Sequence, residues 1–123
     1  MFSHGDLESC RATWRARQRQ AAAARHERWL AGRRLAGEMA GFDRAVPGVR
    51  RVWLVGSLVE RDRFHERSDI DLVVEGLPSE RYMRVLTQIY DRLPAGWELD
   101  LMRLEELSRA GARDLVARGE EMV

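Results

Sequence analysis

Gly56-Ser57 and, eleven residues further on, Ser68-Asp69-Ile70-Asp71-Leu72-Val73-Val74 make up the stretch that decides how this chain folds. Side chains alternate between the two faces of a β-strand. Ile70 and Leu72 therefore share one face, and Asp69 and Asp71 share the other. Two carboxylates on one face of an otherwise apolar strand repel each other and lose hydration. A divalent cation offsets both costs, and Mg²⁺ favours one or two carboxylates together with the phosphate oxygens of a substrate. The pattern predicts a strand whose edge clamps a Mg²⁺–triphosphate.

Upstream, Val49-Arg50-Arg51-Val52-Trp53-Leu54-Val55 is β-branched and apolar, the composition of a buried strand. Its connection to the second strand is too short for a dependable parallel crossover, so the two are expected to pair antiparallel. That pairing brings Gly56 and Ser57 beside Asp69. Glycine lets a phosphate approach the backbone closely, and a serine hydroxyl and N–H at the start of a turn suit an anion. Downstream, Gly76-Leu77-Pro78-Ser79 is a turn whose serine is expected to cap a helix over 79–92, with Tyr82, Val85, Leu86, Ile89 and Tyr90 on its apolar side. Pro94-Ala95-Gly96 leads into a third strand over 97–102, parallel to the second because a full helix joins them. Glu98 and Asp100 share a face of it. Asp100, between Leu99 and Leu101, is expected to lie deeper and to be the third carboxylate of the site. Short helices over 104–109 and 112–120 end the chain.

Residues 6–41 hold no proline and are rich in Ala, Arg, Leu, Glu and Gln, all good helix formers. Ser3 or Asp6 caps the start, and Gly32, Gly37 and Gly41 are expected to weaken the helix and break it in two. The first half is polar on most sides, with Trp14 and Ala21–Ala24 as its contact face. The second half carries a better apolar stripe of Trp29, Leu30, Leu35, Ala36 and Met39 and is expected to pack on the sheet. The chain contains no lysine, so its positive charge is all arginine. Residues 1–34 hold eight arginines against Asp6, Glu8 and Glu27, an excess of +5, while the rest holds thirteen against seventeen acids, −4. A basic arm on an acidic body suits an acidic partner protein or nucleic acid, although a solvated helix face has the same composition. No apolar run approaches a membrane span. Met1-Phe2-Ser3-His4-Gly5 lacks the basic-then-apolar layout of a signal peptide, and the single Cys10 cannot form an internal disulfide. A cytoplasmic protein is the expectation.

Apolar strand, Gly56-Ser57, a charged stretch, Ser68-Asp69-Ile70-Asp71-Leu72, a helix, and a strand with one Asp: this order resembles the nucleotidyltransferases of the DNA polymerase β palm type. The brevity of the chain resembles the minimal nucleotidyltransferases in particular, as does the closing Leu115-Val116-Ala117-Arg118-Gly119-Glu120. The likeness covers roughly residues 49–121. It implies an α+β (α/β sandwich-like) fold, a small mixed sheet packed with helices. The chain would comprise an N-terminal helical arm over 1–44 and a minimal nucleotidyltransferase domain over 45–123.

By the same resemblance, Gly56 and Ser57 hold the β- and γ-phosphates, with Arg61 and Ser68 added to the phosphate-binding set. Asp69 and Asp71 ligate Mg²⁺. Asp100 ligates a second Mg²⁺, or Mn²⁺ in its place, and helps deprotonate an attacking hydroxyl. The implied reaction is in-line attack on the α-phosphate of ATP or another nucleoside triphosphate, with pyrophosphate leaving. Many minimal nucleotidyltransferases act as antitoxins beside a HEPN-domain toxin, which makes a tyrosine of such a partner the implied acceptor of AMP. Two other readings stand beside this one: a non-catalytic module that neutralises its partner by contact, and small-molecule modification of the aminoglycoside nucleotidyltransferase type, whose enzymes usually carry a second domain for the acceptor. The N-terminal helix can also join copies of the chain. One departure is plain: the family often follows Gly-Ser with small residues and Arg-Gly, whereas this chain has Leu58-Val59-Glu60-Arg61-Asp62. Arg61, Arg63 and Arg67 of this loop suit either a triphosphate or solvent.

Overall fold

The computed structural model describes residues 3–123; Met1 and Phe2, where the signal-peptide reading begins, lie outside it. One helix, α1, runs unbroken over His4–Arg44. Its start is closed by a capping box: the Ser3 hydroxyl accepts from the Asp6 N–H, and the Asp6 carboxylate accepts from the Ser3 N–H. The expected break at the glycines does not occur, and Gly32 shows why. A Cβ there would sit 2.8 Å from both Leu58 Cδ2 and Trp97 Cη2. The glycine lets the helix seat closely on the body, and that packing outweighs the cost of about 1 kcal/mol of a helical glycine.

The sheet has four strands in the order β3-β2-β1-β4. Strand β1 (Arg51–Val55) pairs antiparallel with β2 (Ile70–Glu75), and β2 pairs parallel with β3 (Leu99–Arg103), as the connection lengths require. Two strands start later than expected. Val49 closes a turn onto Val46 instead of pairing, and Trp97 leaves the sheet to pack under α1. Helix α2 (Tyr82–Arg92) is preceded by a 3₁₀ turn over Ser79–Arg81. Ser79 caps neither, because its hydroxyl faces Glu80. At the end of the chain, 104–106 is only a 3₁₀ turn, and the Ser108 hydroxyl caps α3 (Arg109–Arg118) through the Gly111 N–H. A two-residue strand, β4 (Glu120–Glu121), then pairs with Trp53 and Leu54 of β1. The charged ending had read as helix.

Strand alternation sorts the core into two layers. Val52, Leu54, Ile70, Leu72, Val74, Leu99 and Leu101 face α2 and the second half of α1. Trp53, Val55, Val73 and Met102 face α3. Asp71 and Asp100, paired in register on neighbouring strands, belong by alternation to the second face. The outer edge of β3 is closed by tyrosines from α2. Tyr82 Oη donates to the Leu101 carbonyl at 2.6 Å, while Tyr90 Oη donates to the Leu99 carbonyl at 2.9 Å and accepts from the Leu99 N–H at 3.0 Å. An edge strand covered in this way offers little to a stray strand.

Candidate active site

The antiparallel β1–β2 register sets Val55 opposite Asp71, so the chain leaving β1 turns directly over that carboxylate. Gly56 makes the turn at φ +79, and a Cβ there would lie 2.5 Å from Asp71 Oδ2. Both conformation and space demand glycine. Gly56 thus abuts Asp71, where strand pairing alone had suggested Asp69. Ser57 follows in the 3₁₀ turn Gly56–Leu58, whose Gly56 carbonyl accepts from Val59 and Glu60.

Asp71 is half-buried, and its carboxyl is pushed up to about 6, first by burial and then by the charges of Asp100 and Asp69. Asp100 does not lie deep, as its flanking leucines had suggested, but is exposed. β3 is an edge strand, and its two leucines point to the opposite face, so Asp100 has a strand on one side only. β2 lies between two strands, which is why its aspartate is the buried one. Glu98 precedes β3 and is exposed.

Ser68 is buried and committed: its hydroxyl accepts from the His65 N–H at 2.9 Å, and its own N–H donates to the His65 carbonyl at 3.0 Å. It closes the turn that delivers Asp69. Arg61 lies over the Trp29 ring, 4.4 Å from its centroid, and meets His26. It is not among the residues lining the cavity at Asp71. That cavity, about 320 Å³, is lined by Gly56, Glu60, Arg63, Asp71, Met102 and Arg118, among others. Both of its arginines pair with Glu60, Arg63 at 2.7 Å and Arg118 at 3.6 Å, and Arg118 is held more closely by Asp114, at 2.7 Å. Sequence reasoning had left Arg63 open between a triphosphate and solvent and passed over Arg118 as a site residue. The Arg118-Gly119 ending of α3 was the signal available for the latter. A second cavity, about 500 Å³, is lined by Asp69 together with Arg28, Glu66, Arg67, Trp97 and Glu98. Arg28 lies 3.8 Å over the Trp97 ring and donates to the carbonyls of Ser68 and Gly96.

Among the described residues, Asp69, Asp71 and Asp100 form no ion pair, and no three His, Cys, Asp or Glu side chains close into a metal cage. The donor set still fits a hard cation. None of the three carboxylates is ion-paired among the described residues, and Asp71 is raised first by burial and then by the charges of its two neighbours. Mg²⁺ commonly completes a sparse protein ligand set with water and substrate phosphates.

Comparison with known proteins agrees with this geometry. The nucleotidyltransferase domain family matches residues 40–119. No curated protein sequence matches the chain. Among solved structures, a toxin–antitoxin complex with AMP-PNP superposes with a TM-score of 0.54 at 20% identity, covering 70% of this chain and 68% of that one. The toxin–antitoxin MntA–HepT superposes at 0.52 and 18% identity, covering 73% and 71%. At these identities the superpositions establish a common fold. The family match spans the glycine turn, all three aspartates and α3, and by it the chain belongs to the nucleotidyltransferase domain family.

Proposed function

We propose that this protein is a Mg²⁺-dependent nucleotidyltransferase that moves a nucleoside monophosphate, AMP from ATP, onto a hydroxyl of a partner protein in the cytoplasm. The observation that carries this reading is the convergence, at one strand end, of an obligatory glycine turn with a set of carboxylates that no side chain ion-pairs among the described residues. Residues 45–123 are the catalytic body in this reading. Asp69 and Asp71 would hold Mg²⁺, with Asp100 positioned for a second ion; when bound, the metal neutralises phosphate charge and favours the alkoxide.

The chain's own residues then divide the work. Gly56 presents its backbone to the phosphates in the cavity, and Ser57, the next residue of the turn though not in the cavity lining, would add its hydroxyl. Arg63 and Arg118 exchange Glu60 for phosphate oxygens, a charge-assisted replacement that arginine's fork geometry favours. Asp100, exposed beside Asp71, takes the proton of the incoming hydroxyl. The acceptor O–P bond forms at the α-phosphorus as the bond to the bridging oxygen breaks, and pyrophosphate leaves with that electron pair.

The acceptor is a tyrosine on a HEPN-type toxin, and the protein acts as its antitoxin. Support for this comes from the sequence resemblance and from the toxin–antitoxin pairs among the fold's neighbours, one of which contains AMP-PNP. A contact-only antitoxin is the second reading, favoured by Glu60 already occupying both arginines. Incubation with labelled ATP, Mg²⁺ and the product of the adjacent reading frame, read by intact mass, separates the two. Transfer predicts a gain of one AMP on the partner. Asp100→Asn should keep most nucleotide affinity while transfer falls by at least about 100-fold, as when an interaction made only in the transition state is lost. If the wild type neutralises its partner without any mass gain, the contact-only reading holds.

A further inference from the structure

The family match begins at residue 40, yet α1 begins at His4. Its N-terminal part belongs to this chain and not to the shared domain. The helix first meets the body near Ala22 and Arg25, beside Arg61, Phe64 and Glu66. Residues 4–21 therefore overhang by about 27 Å at 1.5 Å per residue.

This overhang is not polar all round. Leu7, Trp14 and Ala21 recur every seven residues, on the side that continues into the body-packing residues Gly32, Ala36 and Asp43. Leu7 is 45% exposed and Trp14 63%. An apolar stripe laid out for packing has nothing packed on it. Arg11 and Arg15 flank it on one side and Arg17 on the other, with Arg19 farther round, and among the described residues none of the four has an acidic partner. The stripe also has a destination. Its next member, Arg28, forms the wall of the second cavity and lies beside Asp69.

We propose that residues 4–21 are a docking rail for the acceptor protein, a partner whose surface carries an apolar groove edged by acidic side chains, and that the rail sets this partner over the Arg28–Trp97 cavity, which Asp69 also lines. The docking rests on the transferase reading for the word acceptor, not for the contact itself. The charge pattern selects this occupant. A second copy's rail would bring the same four arginines together. Nucleic acid would leave Leu7 and Trp14 unused, and the overhang's excess, four arginines against Asp6 and Glu8, is small for a phosphate-binding helix.

The test uses the full chain, expressed in its own cells with the photo-crosslinker benzoylphenylalanine at position 14 or, on the opposite face of α1, at Ala12. Docking predicts one protein crosslinked at 14 and not at 12, through a segment with acidic residues. The Leu7→Glu/Trp14→Glu variant should lower recovery of that protein at least tenfold, while the Mg²⁺–AMP-PNP melting shift of the purified variant stays as in the wild type. Crosslinks at 14 to another copy of this chain or to RNA, or no crosslink at all, overturn the proposal. So does full recovery by the double variant. A partner that crosslinks and is lost with the variant, yet never gains a nucleotide, upholds the rail and refutes the transfer reading instead.

Discussion

Two faces of one six-residue strand make opposite demands of their surroundings. On one side of β2, Ile70, Leu72 and Val74 are fully buried against α1 and α2. Each such side chain contributes about 1.5–3 kcal/mol by leaving water. On the other side, Asp71 stands half in water with its carboxyl raised to about 6, at the cost of burial and of two like charges nearby. The first face makes the fold and the second disturbs it. Structure so arranged supports a site: a rigid apolar layer holds carboxylates where they would not settle by themselves.

The sharpest way to break this comparison is to exchange the outcomes of neighbouring substitutions. Asp71→Asn removes the repelled charge, so the folded protein at pH 8 should melt no lower than the wild type, while nucleotidyl transfer falls by about a thousandfold or more, in line with loss of a group acting on the transition state. Leu72→Ala, one residue on, should do the reverse. It should cost about 2–5 kcal/mol through lost transfer energy and a cavity, with transfer per folded molecule nearly preserved. Thermal melts and single-turnover assays on both variants check the pair. A destabilised Asp71→Asn would mean that the carboxylate is structural.

Asp43 sharpens the comparison, because it places a charge on the wrong side. It sits at the end of α1, among its buried residues, with neither carboxylate oxygen hydrogen-bonded. Burial pushes it up to about 7, against the pull of Arg44. A carboxyl whose folded value lies above its unfolded one holds its proton more tightly when folded. Its contribution to stability is therefore complete below about pH 4 and is lost as the pH rises to about 7. Asp71 titrates in the same direction over a narrower span. Chemical denaturation should show wild-type stability falling between pH 4 and 7 by a few kcal/mol at most. Asp43→Asn should flatten much of that fall and gain stability only at the upper end. Equal slopes in both proteins would show that water or a rearrangement satisfies Asp43.

The alternation in Ser68-Asp69-Ile70-Asp71-Leu72 made the central strand legible, because a period of two read over an apolar run is a local property. The pairing senses followed from connection lengths. What did not follow depends on position in the sheet. Asp100 looked buried between Leu99 and Leu101, but nothing in the sequence marks β3 as the outer strand. Gly32 looked like a helix breaker because Trp97, the ring it accommodates, is sixty-five residues away. Glu120-Glu121 joined the sheet through backbone pairing, which their charged side chains do not announce. Arg63 and Arg118 meet only once α3 has folded over the glycine turn.

The smallest expected effect lies at the sheet's rim, where neither face's rule fully applies. Tyr90 holds both backbone groups of Leu99 through one hydroxyl, while the residue remains 44% exposed. In a central strand, the loss of two such bonds would leave buried orphans costing about 1–3 kcal/mol each. At an edge, water can replace the hydroxyl, so Tyr90→Phe should cost only about 1 kcal/mol. Hydrogen exchange should quicken at Leu99 and Asp100 and stay unchanged in β2. Asp100 follows the released residue directly, so transfer should fall by less than tenfold while nucleotide binding holds. That split is what loosening the acceptor-side carboxylate alone would produce. A loss as large as that of Leu72→Ala would instead make the rim part of the core, and the contrast between supporting and functional surfaces would then run along the sheet and not across it.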